Sequence, residues 1–427
     1  MRTGQWVLGV VVVVVLGASV APRRAAVPAP AVMPGIEVLL TDSLHLLRGH
    51  RVGLVSHQAG VDAAGVPDAQ RLLAAGAQLV ALFNPEHGFA GTADPGALVA
   101  SSRDSATGLP IYSLYRRTSA STDSLLRDID LVLVDLQDAG ARYYTYLWTT
   151  VEVMRAASRV HIPVVVLDRP NPIGGAVQGN VLDTLFSRTA VGFLAIPMRH
   201  GMTLGELALL AKHDLDIGVD LTVVPMRGWR RSMYFDETGL PFIPPSPNLR
   251  TLEALIHYPG LCLFEGTTLS VGRGSEHPFE QIGGVDLDTT LILADLRREP
   301  PPGVRFIGTT FTPHAAGDGK YNDTTLTGIR LEVTDRAAYD PTRTAFELLM
   351  AAERRGRTTE CVHCRAGTRD SLTARTFRYL PAQFQRLLGG SELPLIQAGA
   401  MAPLVERSRG PLAEFRNRRR PFLLYPE

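Results

Sequence analysis

A carboxylate and an imidazole stand side by side at Glu86 and His87, within the stretch NPEHGFAG at 84–91. The apolar run 78–83 before them predicts a buried strand, and the glycines after them predict a loop where a ligand can approach the backbone. The carboxyl ends of parallel strands are where α/β proteins bind ligands. General acid–base catalysis requires at least a carboxylic acid and a second polar group close to it.

A second polar cluster follows the apolar run 130–135, where the sequence continues LQDAGARYYTY to residue 146. It supplies carboxylates, an arginine and tyrosines: Asp135, Asp138, Arg142, Tyr143 and Tyr144. One of the carboxylates could simply cap the helix that starts near Thr145, but the other would remain unexplained. Aromatic faces beside carboxylates and an arginine are typical of a site that binds a sugar.

Further candidate residues follow other strands or lie in glycine- and proline-rich loops. They are Asp168, Arg169 and Asn171, then Arg199 and His200, then Asn248, and finally Glu265 and Arg273 within 264–274. Each of these residues could instead have a purely structural role: Asp168 could pair with Arg169, and the glycines could simply allow the chain to turn. Glu265 is a third candidate, after Asp138 and Asp135, for a second catalytic carboxylate.

The elements that must position these side chains fall into an alternating pattern up to about residue 180. Strands are predicted over 51–56, 78–83, 109–115, 130–135 and 163–168, and helices over 70–77, after Ser121 or Thr122, and over 146–160. Strands that are apolar on both faces and separated by helices predict a doubly wound parallel sheet. We therefore expect a doubly wound α/β domain over 36–184. No GxGxxG follows the first strand, so nothing supports a nucleotide site.

The alternation of single strands and helices ends after residue 184. A helix over 203–212 and a strand over 221–225 lead into proline- and glycine-rich loops, after which strands over 304–311 and 326–333 alternate with helices over 337–354 and 382–388. This mixture predicts a second, α+β domain over 185–427.

Composition excludes some classes of function. At 427 residues the chain is long enough for two domains, because single cores stop growing at roughly 250–300 residues. A net charge of +1 argues against a nucleic-acid partner, which requires an excess of basic groups. The only lysines are Lys212 and Lys320, so we expect arginine to recognise any anionic ligand. We expect no cofactor and no metal.

The N-terminus predicts export. Residues 1–21 have a positive Arg2, an apolar stretch and a small-residue cleavage motif, as in a signal peptide, and residues 22–35 form an Ala/Pro-rich leader. The mature protein would then be periplasmic or extracellular; an uncleaved membrane anchor is the alternative. In an exported chain the pair Cys361 and Cys364 favours a local disulfide over a zinc site, which would need a second pair.

In order along the chain, these motifs resemble the NamZ-type exo-β-N-acetylmuramidases, a glycoside hydrolase family formerly known only as a conserved domain of unknown function. The matching stretches are SHQAGVD (56–62), NPEHGFAG (84–91), VDLQDAGARYYTY (134–146), DRPNPIGG (168–175), RHGMTLGEL (199–207), SPNL (246–249), FEGTTLSVGRG (264–274) and RRRPFLLY (418–425). The resemblance covers roughly residues 36–427. One departure is PHAAGDGKY at 313–321, where relatives tend to show a phenylalanine–lysine pair and a following cysteine.

The resemblance implies an active site in a cleft between a Rossmann-like domain and a smaller C-terminal domain. It also implies release of terminal N-acetylmuramic acid from peptidoglycan fragments. We predict that Glu86 is the general acid and rank Asp138 ahead of Asp135 and Glu265 as the second group. His87 and His200 would orient a carboxylate or a hydroxyl. Natural partners for the lactyl carboxylate of the sugar are Arg142, Arg169, Arg199 and Arg273.

Several alternatives stay open at this point. Retaining, inverting and substrate-assisted routes all use a pair of groups of this kind. A non-catalytic exported protein that binds a sugar or muropeptide would need the same cleft and arginines. A metal-dependent hydrolase would need His57, His87 and His200 to converge with a carboxylate. The oligomeric state is undetermined by the sequence.

Overall fold

The computed structural model describes residues 32–117, 119–355 and 377–427. The predicted signal peptide, most of the leader and the pair Cys361 and Cys364 lie outside the described residues. Within those three ranges, no helix combines the length and the apolar character needed to cross a membrane.

The strands are, in chain order, β1 (Arg51–Val55), β2 (Gln78–Asn84), β3 (Ser102–Arg103), β4 (Pro110–Ser113), β5 (Leu131–Val134), β6 (Val164–Leu167), β7 (Gln178–Val181), β8 (Pro197–Arg199), β9 (Leu221–Val224), β10 (Gln281–Gly284), β11 (Val304–Phe311) and β12 (Leu326–Val333). The helices are α1 (Gly35–Asp42), α2 (Asp68–Ala74), α3 (Ser119–Thr122), α4 (Tyr146–Val160), α5 (Leu204–Asp214), α6 (Leu252–Leu261), α7 (Thr289–Leu296), α8 (Pro341–Arg355), α9 (Pro381–Leu388), α10 (Leu393–Gln397) and α11 (Met401–Arg419).

Seven strands form one sheet in the order β3-β4-β2-β1-β5-β6-β9. All neighbours are parallel except β3 and β4. Helices α1 and α2 bury apolar side chains on one face of the sheet, and α4 and α5 do so on the other. Because both faces are covered, the inner strands are apolar over 52–55, 131–134 and 164–167. This arrangement confirms the predicted doubly wound α/β fold. The carboxyl ends of β1, β2, β5 and β6 therefore meet at one edge.

The sheet extends further along the chain than expected. Strand β9 pairs in parallel with β6, and α5 packs against α4, so residues 204–224 complete the first sheet. The predicted boundary after residue 184 groups this strand with the C-terminal part of the chain, whereas the structure pairs it with the first sheet. A short apolar run predicts a strand but carries no signal for which sheet it joins.

Local signals explain several helix ends. The hydroxyl of Thr203 accepts a hydrogen bond from the Glu206 N–H, and the Glu206 carboxylate accepts one from the Thr203 N–H, which is the capping box that starts α5. The apolar helix predicted over 146–160 is α4. The helix predicted after Ser121 or Thr122 is only α3 followed by a 3-10 turn at Asp123–Leu126.

The C-terminal part is α+β, as predicted. Strands β10, β12 and β11 form an antiparallel sheet, and α8 packs on α6 and α7. The strands predicted over 304–311 and 326–333 are β11 and β12. The end of the chain returns to the first sheet, where the Tyr425 hydroxyl donates to Asp168 at 2.6 Å and accepts from the Met226 N–H at 3.0 Å.

Candidate active site

The carboxylate of Glu86 is held from two sides just after β2. Its side chain is mostly buried, with the whole residue 8% exposed. Oε1 accepts a hydrogen bond from the Gly96 N–H at 2.8 Å, and Oε2 accepts one from the Thr145 hydroxyl at 2.7 Å. Gly96 belongs to the loop after β2 and Thr145 immediately precedes α4, so two separate segments fix the direction of this carboxyl group.

His87 is fixed by its own backbone and by one hydrogen bond. Its φ of 72° lies in the left-handed region, which is unusual for a residue with a Cβ atom. Nδ1 lies 2.7 Å from the Ala93 carbonyl, which can only accept, so Nδ1 carries the proton. Burial lowers the pKa of His87, while the Ala93 hydrogen bond and the Glu86 charge oppose that effect. The neutral ring therefore keeps the Nε2 lone pair for a hydroxyl donor.

Tyrosines join the Glu86 edge to the proline-rich loop 244–248. The hydroxyls of Tyr144 and Tyr146 both donate to the Pro245 carbonyl, at 2.7 and 3.1 Å. The predicted substrate residue Asn248, which is 7% exposed, lies in the same loop, three residues after Pro245. The ring of Tyr144 lies 4.4 Å from that of Tyr146 between centroids.

The aromatic contacts continue toward the C-terminal part. The Tyr258 ring lies 6.4 Å from Tyr144 and 5.0 Å from Phe279, and the Arg273 guanidinium stands 4.9 Å from the Phe279 centroid. The predicted residue Tyr143 packs its ring 6.3 Å from the same Tyr258. A continuous aromatic wall therefore connects the tyrosines after β5 with the turn that carries Arg273.

Asp138 and His200 form a hydrogen-bonded pair. Oδ2 of Asp138 accepts from the Gly140 N–H at 2.6 Å and lies 3.2 Å from His200 Nε2. The Met202 N–H donates to His200 Nδ1 at 3.2 Å, so the neutral ring carries its proton on Nε2, toward Asp138. Among the described residues nothing donates to Asp138 Oδ1, which leaves this oxygen for a ligand or water.

Glu265 pairs with Arg273 in the turn after α6. Oε1 accepts from Arg273 Nε at 2.6 Å, and the Cys262 thiol lies 3.5 Å from Oε2. The Glu265 side chain is 18% exposed, against 9% for that of Arg273. The described residues contain no acceptor for the two Nη groups of Arg273.

Asp135 belongs to a buried cluster of charged side chains. Its carboxylate pairs with the Arg169 guanidinium, which also donates to the Val61 carbonyl at 2.8 Å and lies 3.4 Å from Asp68. Burial raises the pKa of Asp68, and the neighbouring charge of Asp135 raises it further. The guanidinium balances one of the two carboxylates, and the raised pKa of Asp68 favours its neutral acid, so no buried charge is left unpaired. We therefore interpret Asp135 and Arg169, predicted for catalysis and substrate binding, as structural.

Asp168 and Asn171 are also occupied by the protein itself. Asp168 is completely buried, and its carboxylate accepts from Thr203, Tyr425 and the N–H of Gly205. Burial raises the pKa of Asp168 to about 7, although these donors counteract the rise. The Asn171 amide donates to the Met202 carbonyl at 2.9 Å. Their predicted role in substrate binding finds no support in this geometry.

Two of the predicted arginines hydrogen-bond to other parts of the protein and so have a structural role. Arg142 donates from Nη1 and Nη2 to four carbonyls, those of Asn180, Ile196, Leu387 and Leu388, at 2.9 to 3.2 Å. Arg199 donates to the Gln178 side chain, the Ile173 carbonyl and the Tyr234 hydroxyl. Both are nearly fully buried. Of the four arginines suggested for an anionic group, Arg273 alone has no partner among the described residues for either of its Nη groups.

Sequence reasoning missed several contributors. Thr145 and Tyr146 lie inside a quoted motif, but their contacts to Glu86 and Pro245 join segments far apart in the chain. Tyr115 follows β4; burial raises the pKa of its hydroxyl, and the Glu86 charge adds to the rise. Across the described ranges no three His, Cys, Asp and Glu side chains are arranged to hold a metal ion, and this includes His57, His87 and His200.

The candidate site therefore contains Glu86 held by two hydrogen bonds, Asp138 paired with His200, and a row of buried aromatic rings. Comparison with known proteins gives the family. Models of the N-terminal and C-terminal regions of "Exo-beta-N-acetylmuramidase NamZ" match residues 52–253 and 256–425. The chain therefore belongs to the NamZ exo-β-N-acetylmuramidase family and is a glycosidase.

Relatives of known sequence and structure agree with this assignment. A Bacillus subtilis (strain 168) protein named peptidoglycan β-N-acetylmuramidase NamZ is 42% identical over 322 residues, which is 75% of this chain and 77% of that protein. Two crystal structures of DUF1343 family proteins from Bacteroides fragilis NCTC 9343 are each 29% identical and cover 93% of this chain, with TM-scores of 0.79 and 0.72. The match spans 100% of the first of those chains and 99% of the second.

Proposed function

We propose that the enzyme releases terminal β-linked N-acetylmuramic acid from the non-reducing end of peptidoglycan fragments, with the reaction at the edge that carries Glu86. The observation that carries this proposal is the clasp of Glu86 between the Gly96 N–H and the Thr145 hydroxyl. The named activity of the Bacillus subtilis relative supports the choice of substrate.

Glu86 is the proposed general acid. Glycoside hydrolysis needs a protonated carboxyl that delivers its proton to the leaving oxygen as the C1–O bond breaks. The Thr145 hydroxyl suits this role, because it can donate to the carboxylate and accept from the carboxylic acid. The leaving sugar then departs as a neutral alcohol, and Glu86 becomes a carboxylate.

Asp138 is the proposed second group. The His200 ring and the Gly140 N–H both bind Oδ2, which orients the carboxylate and leaves Oδ1 for the electron-poor carbon, the attacking water or the acetamido group of the sugar. Glu265 instead holds Arg273 by its Nε, which presents the Nη groups to a carboxylate in the bidentate geometry that guanidinium favours. We assign Arg273 to the lactyl carboxylate that distinguishes N-acetylmuramic acid from N-acetylglucosamine.

The direct test compares two chromogenic substrates that differ only in the lactyl group, the β-N-acetylmuraminide and the β-N-acetylglucosaminide. We expect release from the first and little from the second. Equal release, or none from either, would contradict the proposal. Tight binding of a muropeptide without any release would identify a binding protein.

The location of this activity follows from the apolar N-terminal segment, which supports export to the compartment that contains peptidoglycan. N-terminal sequencing of the protein from its host tests this part: a start near Pro22 is expected for a cleaved signal peptide, and an intact Met1 in a membrane fraction would indicate an anchor.

A further inference from the structure

We propose that residues 313–323, called the bridge below, close the saccharide site at one end and so restrict cleavage to the terminal sugar. This inference rests on the proposed muramidase function and names the segment that determines its exo specificity. The bridge connects β11 to β12 and contains the stretch in which this chain departs from the family pattern.

The tip of the bridge packs against the loop that holds Glu86. A Cβ atom added to Gly317 would stand 3.0 Å from Oδ1 of Asp94 and 3.1 Å from Cδ of Pro95, so the two segments are in close contact. Asp94 and Pro95 directly precede Gly96, whose N–H binds the Glu86 carboxylate. The tip therefore supports the segment that positions the proposed acid.

The two ends of the bridge are attached to the turn 264–274, on the other side of the site. The His314 N–H donates to the Gly274 carbonyl at 2.8 Å, and the Tyr321 hydroxyl donates to the Thr268 carbonyl at 2.7 Å. This turn carries both Glu265 and Arg273.

Lys320 makes the most extensive attachment. Its Nζ lies within 3.5 Å of four carbonyl oxygens, those of Phe264, Glu265, Thr267 and Leu269. An ammonium has three protons to donate, so this ring of acceptors satisfies all of them. Burial lowers the pKa of Lys320, and nearby carboxylates oppose the effect.

The bridge keeps a conformation that a free loop would not hold. Ala315, Tyr321 and Asp323 have φ values of 46°, 55° and 58°, in the left-handed region that residues with a Cβ atom seldom occupy. Such backbone persists only where surrounding contacts enforce it. The anchors on the 264–274 turn supply those contacts.

The consequence for substrate is steric. A segment that runs from the Glu86 loop to the Arg273 turn blocks the passage of a polysaccharide on that side of the site. A terminal sugar can lie against the bridge, whereas an internal sugar would place its neighbour in the space that the bridge fills. This arrangement permits removal of the last sugar and prevents cleavage within a chain.

The experiment uses the chromogenic β-N-acetylmuraminide and the same compound extended by N-acetylglucosamine on O4. We would compare wild type with Lys320→Met, which removes the ammonium, and with a variant in which 315–319 is replaced by Gly-Gly. Lys212→Met is the matched control, because Lys212 is the only other lysine and lies on α5. Circular dichroism checks the fold of each variant.

We expect wild type and Lys212→Met to release chromogen only from the simple muraminide. Lys320→Met and the shortened bridge should release it from the extended compound at least about tenfold faster than wild type, because the steric exclusion has been relaxed. On the simple muraminide, the activity of these variants should fall by less than about tenfold, and their KM should stay comparable to that of wild type.

The outcomes separate the two proposals. If wild type hydrolyses neither compound, the proposed function fails and the bridge inference fails with it. If wild type is active but both opened variants still reject the extended compound, the bridge inference alone is wrong. Should the shortened variant not fold, Lys320→Met combined with Tyr321→Phe decides, since it removes two anchors and leaves the backbone intact.

Discussion

Replacing Glu86 with glutamine should abolish proton donation while leaving the fold almost unchanged. In the amide, Oε1 still accepts from the Gly96 N–H, and the new NH₂ can donate to the Thr145 hydroxyl once that hydroxyl rotates. One net hydrogen bond is worth about 0.5–1.5 kcal/mol, so the free energy of unfolding should fall by about 1 kcal/mol or less. Urea unfolding measures that difference.

The expected loss of rate is much larger. General acid catalysis contributes about 10²–10⁴-fold, equivalent to about 2.7–5.4 kcal/mol of barrier at 1.36 kcal/mol per factor of ten. We expect this loss on a natural disaccharide that ends in N-acetylmuramic acid, measured as initial rate of sugar release. On an aryl muraminide the loss should be at least about tenfold smaller, because an aryloxide departs without protonation.

Two further variants make the test specific. Asp138→Asn should lose activity to a similar degree on both substrates, because the second group acts on the sugar carbon and not on the leaving oxygen. Glu332→Gln, on the exposed face of β12 where Glu332 pairs with Arg305, should lose none. An equal loss of Glu86→Gln on the disaccharide and the aryl substrate would refute the assignment of Glu86 as proton donor, and unchanged turnover would exclude it from catalysis.

Two other predictions concern Arg273 and His257, a fully buried residue of α6. Arg273→Met should lower kcat/KM for the muraminide by about 10–100-fold, because a charge-assisted pair contributes about 1.5–3 kcal/mol. The preference of the enzyme for the muraminide over the glucosaminide should become smaller. An unchanged ratio of the two kcat/KM values would show that Arg273 does not recognise the lactyl group. Burial lowers the pKa of His257 to about 3, so the unfolded chain binds its proton from about pH 6.5 downward and the folded protein does not. Stability should therefore fall as the pH drops from 6.5 toward 3, and His257→Gln should remove about 2 kcal/mol of the loss between pH 6.5 and 5, measured by urea unfolding at each pH; parallel pH profiles of wild type and variant would contradict this.

The sequence by itself determined the fold class and the edge at which chemistry is proposed. Runs such as 52–55 and 164–167 are apolar at every position, a local property that specifies strands covered on both faces. The polar residues directly after them then had to meet at one edge, because parallel strands end together. Motifs such as NPEHGFAG and FEGTTLSVGRG also carried the family resemblance, since they are contiguous in the chain.

Only the tertiary structure decided which charges are available to a ligand. Arg142, Arg169 and Arg273 look alike in the sequence, yet the first binds four carbonyls and the second two carboxylates, while the third keeps its Nη groups unused among the described residues. Each of these partners is distant in the chain, so local patterns cannot reveal them. The same reason explains why no local signal indicated that β9 joins the first sheet, and why the carbonyl ring around Lys320 was not foreseen. A side chain's type is written in the sequence, but whether its hydrogen bonds are already satisfied depends on long-range packing.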